Sequence, residues 1–283
     1  MLGAGGLPWS VTIDSTGRFA YVVNRTQGLL AEYAVNTDGT LKPLGTIATG
    51  VKPDSVVVDA LTRYVYVTNS NDNTVSQYAI GSNGSLTSLG TIGAGASPSS
   101  IGTDGTGRYV YVTNSGDDTV SQYTIGGDGT LTPQGVVKTG KSPVSIAVGV
   151  TTQYVYVANS GDNTVSAYLM GRTGKLTSLG AVGTGALPSS VTTARLNVYV
   201  ANMNGNNVSQ YLIGADGKLT SMGTIQAGNM PMSIVTDGMN RYVYVTNAND
   251  NTISAYSIGY AGALASLGTF ASGSVAPRSI AVH

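Results

Sequence analysis

Side chains able to do acid–base chemistry are scarce in this sequence. There is one histidine, His283, one glutamate, Glu32, and no cysteine, beside thirteen aspartates, eight arginines, six lysines and a single tryptophan, Trp9. Acid–base or nucleophilic catalysis needs several titratable groups converging on one point, and no serine stands with a His and an acid in a recognisable triad order. The residues that attract attention are those breaking an otherwise regular text: Trp9, Arg25, Glu32, Arg278 and His283. Arg25 opens "RTQGLL" where other copies read "SNDNTV", Glu32 stands where Gln77, Gln122 and Gln210 stand, and His283 aligns with Asp14 and Asp59. If the first copy and the terminal segment meet, these five form the one charged and aromatic cluster the sequence offers. It reads either as the mouth of a ligand pocket or, more simply, as the seam where the chain ends meet. No catalytic residue is assigned.

A second set of candidates is Asp72, Asp117, Asp118, Asp162 and Asp250, in loops such as "NSNDN" and "NSGDN". Calcium takes six to eight oxygen ligands, so carboxylates and carbonyls gathered from several loops could hold it. The simpler expectation is that Asn and Asp occupy these slots for their turn geometry, with no metal and no cofactor.

These loops punctuate a repeat. The Asn closing each "YVxN" stretch falls at Asn24, Asn69, Asn114, Asn159, Asn202 and Asn247, at gaps of 45, 45, 45, 43 and 45 residues. The Tyr of "VSQY" keeps step at Tyr33, Tyr78, Tyr123, Tyr168, Tyr211 and Tyr256. Each copy holds four short strand candidates. In the copy starting at Pro53, "SVVVD" suits a crowded inner strand, "YVYVTN" and "TVSQYAI" alternate as half-buried strands do, and "LTSLGTI" is more polar, as an outer strand should be. Gly84, Gly129 and Gly217 supply the positive φ of hairpin turns. Four antiparallel strands per unit of about 45 residues is the signature of a β-propeller blade. The fold class is all-β, with repeat units starting near 8, 53, 98, 143, 188 and 231 in one domain. The inner-strand motif Pro-x-Ser-Val/Ile occurs a seventh time at Pro277, so the chain holds six blades plus one surplus inner strand, 277–283. The alternative is a seven-bladed ring whose last blade is completed by another segment or chain. A surplus strand with unpaired backbone groups invites pairing, within its own chain or by exchange with a neighbouring subunit.

The text "RYVYVTNSNDNTVSQY" followed by "GSLTSLGTI" and "PSSI" resembles the YVTN β-propeller repeat, shared by surface-layer proteins and by lactonase-type propellers related to 6-phosphogluconolactonase. The resemblance covers the whole chain. It implies a propeller, usually of seven blades, and, for lactonase-type relatives, hydrolysis at a mouth lined by His, Arg and acidic side chains, for which no residue-by-residue match is found.

Composition excludes some functions. Net charge is zero and charged residues make up 10% of the chain, so the clustered basic surface that nucleic-acid binding requires is absent. No apolar run approaches the roughly 18–20 residues of a membrane-spanning helix. The opening "MLGAGGLPWS" has no basic or apolar signal-peptide regions, which fits either a cytosolic protein or, as the favoured expectation, a mature or trimmed chain. Richness in Gly, Ser, Thr and Asn suits an extracellular or cell-surface location with protein or glycan partners. Sequons at Asn24, Asn83 and Asn207 would matter in a glycosylating host. The resulting expectation is a non-catalytic surface scaffold or binding module, self-associating through its terminal strand. A lactonase-type hydrolase of sugar lactones is the alternative. The register makes one sharp structural expectation: Tyr66, Tyr111, Tyr156, Tyr199 and Tyr244 occupy equivalent strand positions, and coordinates placing any two differently would overturn the repeat assignment.

Overall fold

The computed structural model describes residues 6–149 and 152–282. Among them every regular element is a β-strand, arranged as six four-stranded antiparallel sheets in simple sequential order. The blades span residues 8–48, 53–93, 98–138, 143–183, 188–226 and 231–271. The chain divides into two compact units, one ending at Val136 and the other running from Val137 to Val282.

Blade two, in the first unit, shows why the sequence folds this way. Its strands are Pro53–Val58, Tyr64–Asn69, Thr74–Ile80 and Leu86–Gly93. The second strand is buried throughout, the first and third partly, and the fourth is mostly exposed. The polar text of "LTSLGTI" thus sits on the outer edge. In the second strand Tyr66 packs with Val110 and Val112 of blade three, while Val65 and Val67 join the cluster containing Tyr21 and Val56. Alternation along the strand therefore glues one face to the next blade and the other to the preceding one. The five tyrosines expected to be equivalent all hold the third position of their blade's second strand.

The buried tyrosine also reaches across. Within the first unit the hydroxyls of Tyr21 and Tyr66 donate to the carbonyls of Gly84 and Gly129, in the next blade's outer hairpin, at 3.0 and 2.9 Å. In the second unit Tyr156 and Tyr199 do the same to Gly217 and Gly262. Those hairpins need glycine: Gly129 has φ +86°, and a Cβ there would lie 2.3 Å from the Tyr64 ring. The recurring serine of Pro-x-Ser ties the inner strands. Ser10 Oγ accepts the Val56 N–H, and Ser145 and Ser190 accept those of Val191 and Ile234.

Blade six departs from the pattern. Tyr244 is half-buried where Tyr21, Tyr66, Tyr156 and Tyr199 are fully buried, and Leu267 and Phe270 are exposed. The seventh Pro-x-Ser motif behaves differently from the other six. Blade one's inner strand is Pro8–Ile13, paired with Phe19–Asn24, and residues 277–282, though half-buried, form no strand. The surplus strand is a sequence motif without strand geometry, and His283 lies outside the described residues.

Tyr66→Phe or Tyr156→Phe, which strands a buried carbonyl, should cost about 1–2 kcal/mol. Tyr244→Phe, whose hydroxyl makes no hydrogen bond among the described residues, should cost far less. Urea-unfolding midpoints check the contrast, and equal losses at all three positions would remove the tether from the account.

Candidate functional site

The loop before each inner strand and the loop between second and third strands lie together, and the recurring residues there are mutual ties. Asn69 Oδ1 accepts the Gly50 N–H at 3.0 Å while its amide donates to Thr74 and Ser76. A Cβ on Gly50 would meet Asp72 and Asn69 at 2.5–2.7 Å, so only glycine fits. The loop aspartates are ties as well. Asp72, Asp117, Asp162 and Asp250 accept the N–H groups of Val51, Ala96, Lys141 and Asn229. Among the described residues no three His, Cys, Asp or Glu side chains gather as a metal site would require. Four of the five carboxylates considered for calcium hold the adjoining loop in this way. Of the three sequons, Asn24 is buried and Asn83 exposed at a hairpin tip, while Asn207 accepts from Asn202.

One place in the first unit breaks the pattern of ties. In blade one, Arg25 fills the slot that holds Ser70, Ser115 and Ser160 in blades two to four. In blade two, the variable residue of Pro-x-Ser is Asp54. Arg25 Nε lies 2.5 Å from Asp54 Oδ1, and a terminal guanidinium nitrogen donates to Oδ2 at 3.3 Å. The guanidinium carbon sits 3.8 Å from the centroid of Trp9, the variable residue of blade one's Pro-x-Ser. Trp9 in turn packs against the cluster of Val23, Leu30 and Val56, which fixes the ring and through it the cation. The ion-paired side chains are only 22% and 11% exposed. Nε and Oδ1 meet as charges but miss hydrogen-bond alignment, so two buried polar atoms keep unused bonding capacity.

Burial pushes the Asp54 carboxyl above its ordinary value. The Ser70 hydroxyl and the charges of Arg25 and Lys52 pull it down without cancelling that effect. A half-buried carboxyl with a raised pKa beside a fixed guanidinium can take a proton from water and stabilise an adjacent negative oxygen.

Of the residues singled out by sequence, Trp9 and Arg25 come together and Glu32 goes elsewhere. Glu32 lies in strand Leu29–Val35, 5% exposed, and its Oε1 accepts the Leu86 N–H of the next blade at 3.3 Å. Gln77 and Gln210 accept the equivalent N–H groups of Leu131 and Leu264. Glu32 therefore does a glutamine's structural task, and its carboxyl is pushed up by burial. Arg278 lies half-buried in residues 277–282 of the second unit, and His283 falls outside the described residues. Asp54 escaped the sequence reading, although its neighbours in the same slot are Trp, Ser, Val, Ser, Met and Arg, never another acid.

Four-stranded blades that bury a tyrosine tether and carry a charged pair at the start of an inner strand define a β-propeller protein. Residues 9–101 and 90–193 match the Lactonase family, described as a 7-bladed beta-propeller, and the chain belongs to that family. No curated protein matches it. Solved structures similar to it include a Lactobacillus plantarum protein (22% identity, TM-score 0.87, covering 99% of this chain and 89% of that one). A periplasmic gluconolactonase of Pseudomonas aeruginosa shares 17% identity over 98% of this chain and 88% of its own, with TM-score 0.86. Hydrazine synthase of Kuenenia stuttgartiensis is similar at 15% identity over 99% of this chain and 92% of its own, with TM-score 0.78. At these identities the likeness is one of fold. The family match overturns the expectation of a non-catalytic surface scaffold, which rested on the scarcity of titratable side chains. Nothing in the comparisons points to a surface layer or a filament.

Because folding raises the Glu32 pKa, its contribution to stability is complete below the unfolded carboxyl value. It is lost as pH rises through the folded value. Glu32→Gln should therefore raise stability at pH 7 by on the order of 1 kcal/mol and leave it nearly unchanged near pH 4. Thermal melts at the two pH values test this, and equal melting shifts at both would contradict it.

Proposed function

We propose that the protein is a lactonase-type hydrolase that opens a sugar lactone or a similar cyclic ester of small size, with Asp54 and Arg25 as its working groups. Family membership supports the reaction class. The observation that carries the site is the Arg25–Asp54 pair held against Trp9, a half-buried carboxylate–guanidinium pair set where other blades place serine and neutral residues.

Lactone hydrolysis adds the oxygen of water to the ring carbonyl carbon and then breaks the ring C–O bond, leaving a hydroxy acid. Asp54, ionised, takes the proton of the attacking water. The guanidinium of Arg25 stabilises the carbonyl oxygen as it gains negative charge, and afterwards matches the product carboxylate, a planar acceptor suited to a planar fork. As the C–O bond breaks, the proton held on Asp54 passes to the leaving ring oxygen, returning the carboxylate to its starting state. The stack on Trp9 keeps the guanidinium in place when Asp54 loses its charge. An exported location is proposed with this activity, on the Ser-, Thr- and Gly-rich composition and the periplasmic setting named for one structural neighbour.

With δ-gluconolactone and related sugar lactones in a pH-stat, the chain should hydrolyse substrate saturably above the uncatalysed rate. Asp54→Asn and Arg25→Ala should each lower kcat/KM by about 10²-fold or more. Activity should fall as pH drops through the raised Asp54 pKa, because the base must be ionised. A wild-type rate equal to the uncatalysed one for all such lactones would sink the hydrolase reading. Full activity in Asp54→Asn would sink the site assignment.

A further inference from the structure

We propose that the loops of blades five and six form a second binding site, for a neutral sugar or another compact polyol. The site uses no residue of the Arg25–Asp54 pair and does not depend on the hydrolase reading. Its walls come from Met203, Asn204 and Asn206 between the second and third strands of blade five, Asn229 and Met230 before blade six, and Asn249 and Asp250 within blade six. Together these residues border an open concavity of about 360 Å³, within the size range of small-molecule sites.

The sequence departs from the repeat at just these places. Met203 replaces the serine of Ser70, Ser115 and Ser160. Gly205 replaces the aspartate of Asp72, Asp117 and Asp162. Asn229 stands where Val51, Ala96, Lys141 and Ala186 stand, and Met230 follows it. The change at 205 alters the local chemistry. In blades two to four the aspartate accepts an N–H of the adjoining loop, whereas in blade five the Gly205 N–H itself donates to Ala186 O at 3.2 Å. Blade five thus carries no carboxylate at this loop position.

What remains is an amide-lined surface with bonding capacity to spare. The side chains of Asn204 and Asn249 make no hydrogen bond among the described residues. Asn206 uses its oxygen to accept the Met230 N–H at 3.0 Å and keeps its NH₂ group. Asn229 donates its main-chain and side-chain N–H to the two Asp250 oxygens at 2.6 and 2.8 Å and keeps its amide oxygen. A carboxamide offers two donors and a two-lone-pair acceptor, which matches hydroxyl groups that both give and accept. The Met203 and Met230 side chains present flexible, polarisable apolar surface to the C–H face of such a ring.

Charge narrows the ligand class. No Lys, Arg or His lines the concavity, and Asp250 is its one charged residue. The hydrogen bonds from Asn229 hold that carboxyl below its usual value, so it is ionised at neutral pH. A sugar acid or phosphate would be repelled. A metal cation would find a single carboxylate whose two oxygens are already engaged. A neutral polyol meets neither obstacle.

Methyl α-D-glucopyranoside is a suitable probe, because it is neutral and has no lactone to hydrolyse. Titrated into the intact chain and followed by the side-chain amide signals in NMR, it should bind saturably with a dissociation constant on the order of millimolar. Asn204→Ala and Asn249→Ala, exposed residues whose side chains hold nothing in the fold, should each weaken binding about five- to tenfold. Glucuronate should bind at least about tenfold more weakly than the glucoside, and Asp54→Asn should bind the glucoside as the wild type does. No saturable response, unchanged binding in both asparagine variants, or equal affinity for glucuronate would each overturn the proposal. Loss of lactone hydrolysis in Asp54→Asn with glucoside binding intact would separate the two sites.

Discussion

A tyrosine hydroxyl donated to a backbone carbonyl one blade further along is the contact from which most of this architecture follows. Tyr66 reaches Gly129 and Tyr156 reaches Gly217. To do so, the ring must lie in the blade-to-blade interface, the acceptor turn must be glycine, and the spacing between copies must stay near 45 residues. Burial of these phenols raises their pKa, with Tyr199 pushed up to about 12, so the donor keeps its proton throughout the physiological range. A hydrogen bond that is dry, neutral and repeated fixes register better than apolar contact alone, since a slipped blade would strand both partners.

A scaffold specified by repetition leaves function to the slots where a copy departs from the others. The variable residue of Pro-x-Ser and the residue after the blade asparagine are two such slots, and they are adjacent in space. Arg25 and Asp54 occupy one of each, from neighbouring blades. Burying an ion pair costs desolvation that its attraction need not return. The pair is better accounted for by the chemistry it can perform than by stability, and the cation–π stack on Trp9 offsets part of that cost.

The blades, their order and the tyrosine register were all legible in the sequence, because hydrophobic alternation and turn glycines act locally and recur six times. The site was legible in part. Trp9 and Arg25 stood out as departures from the repeat, but Asp54 is one of thirteen aspartates, in a slot that varies from copy to copy. Only the fold shows it facing Arg25. Glu32 misled for the opposite reason: it is unique in type yet serves the same N–H as the glutamines around it, since a buried carboxyl can accept as an amide does. Residues 277–282 carry the inner-strand motif without the strand, because local sequence supplies propensity and not a partner. The scaffold reading failed on a similar point. A count of titratable groups says how many exist and not how they are placed.

Trp9 is the chain's single tryptophan, and its ring lies beneath the Arg25 guanidinium at 3.8 Å. Ultraviolet emission excited at the red edge therefore originates from one indole, at the point where the Arg25 cation sits. Anything that draws Arg25 away from the ring, be it a carboxylate product or loss of its counter-ion, changes the electric field along the indole and with it the colour and yield of that emission. The protein thus carries a built-in optical gauge of its own site, needing no label and free of background from any second tryptophan.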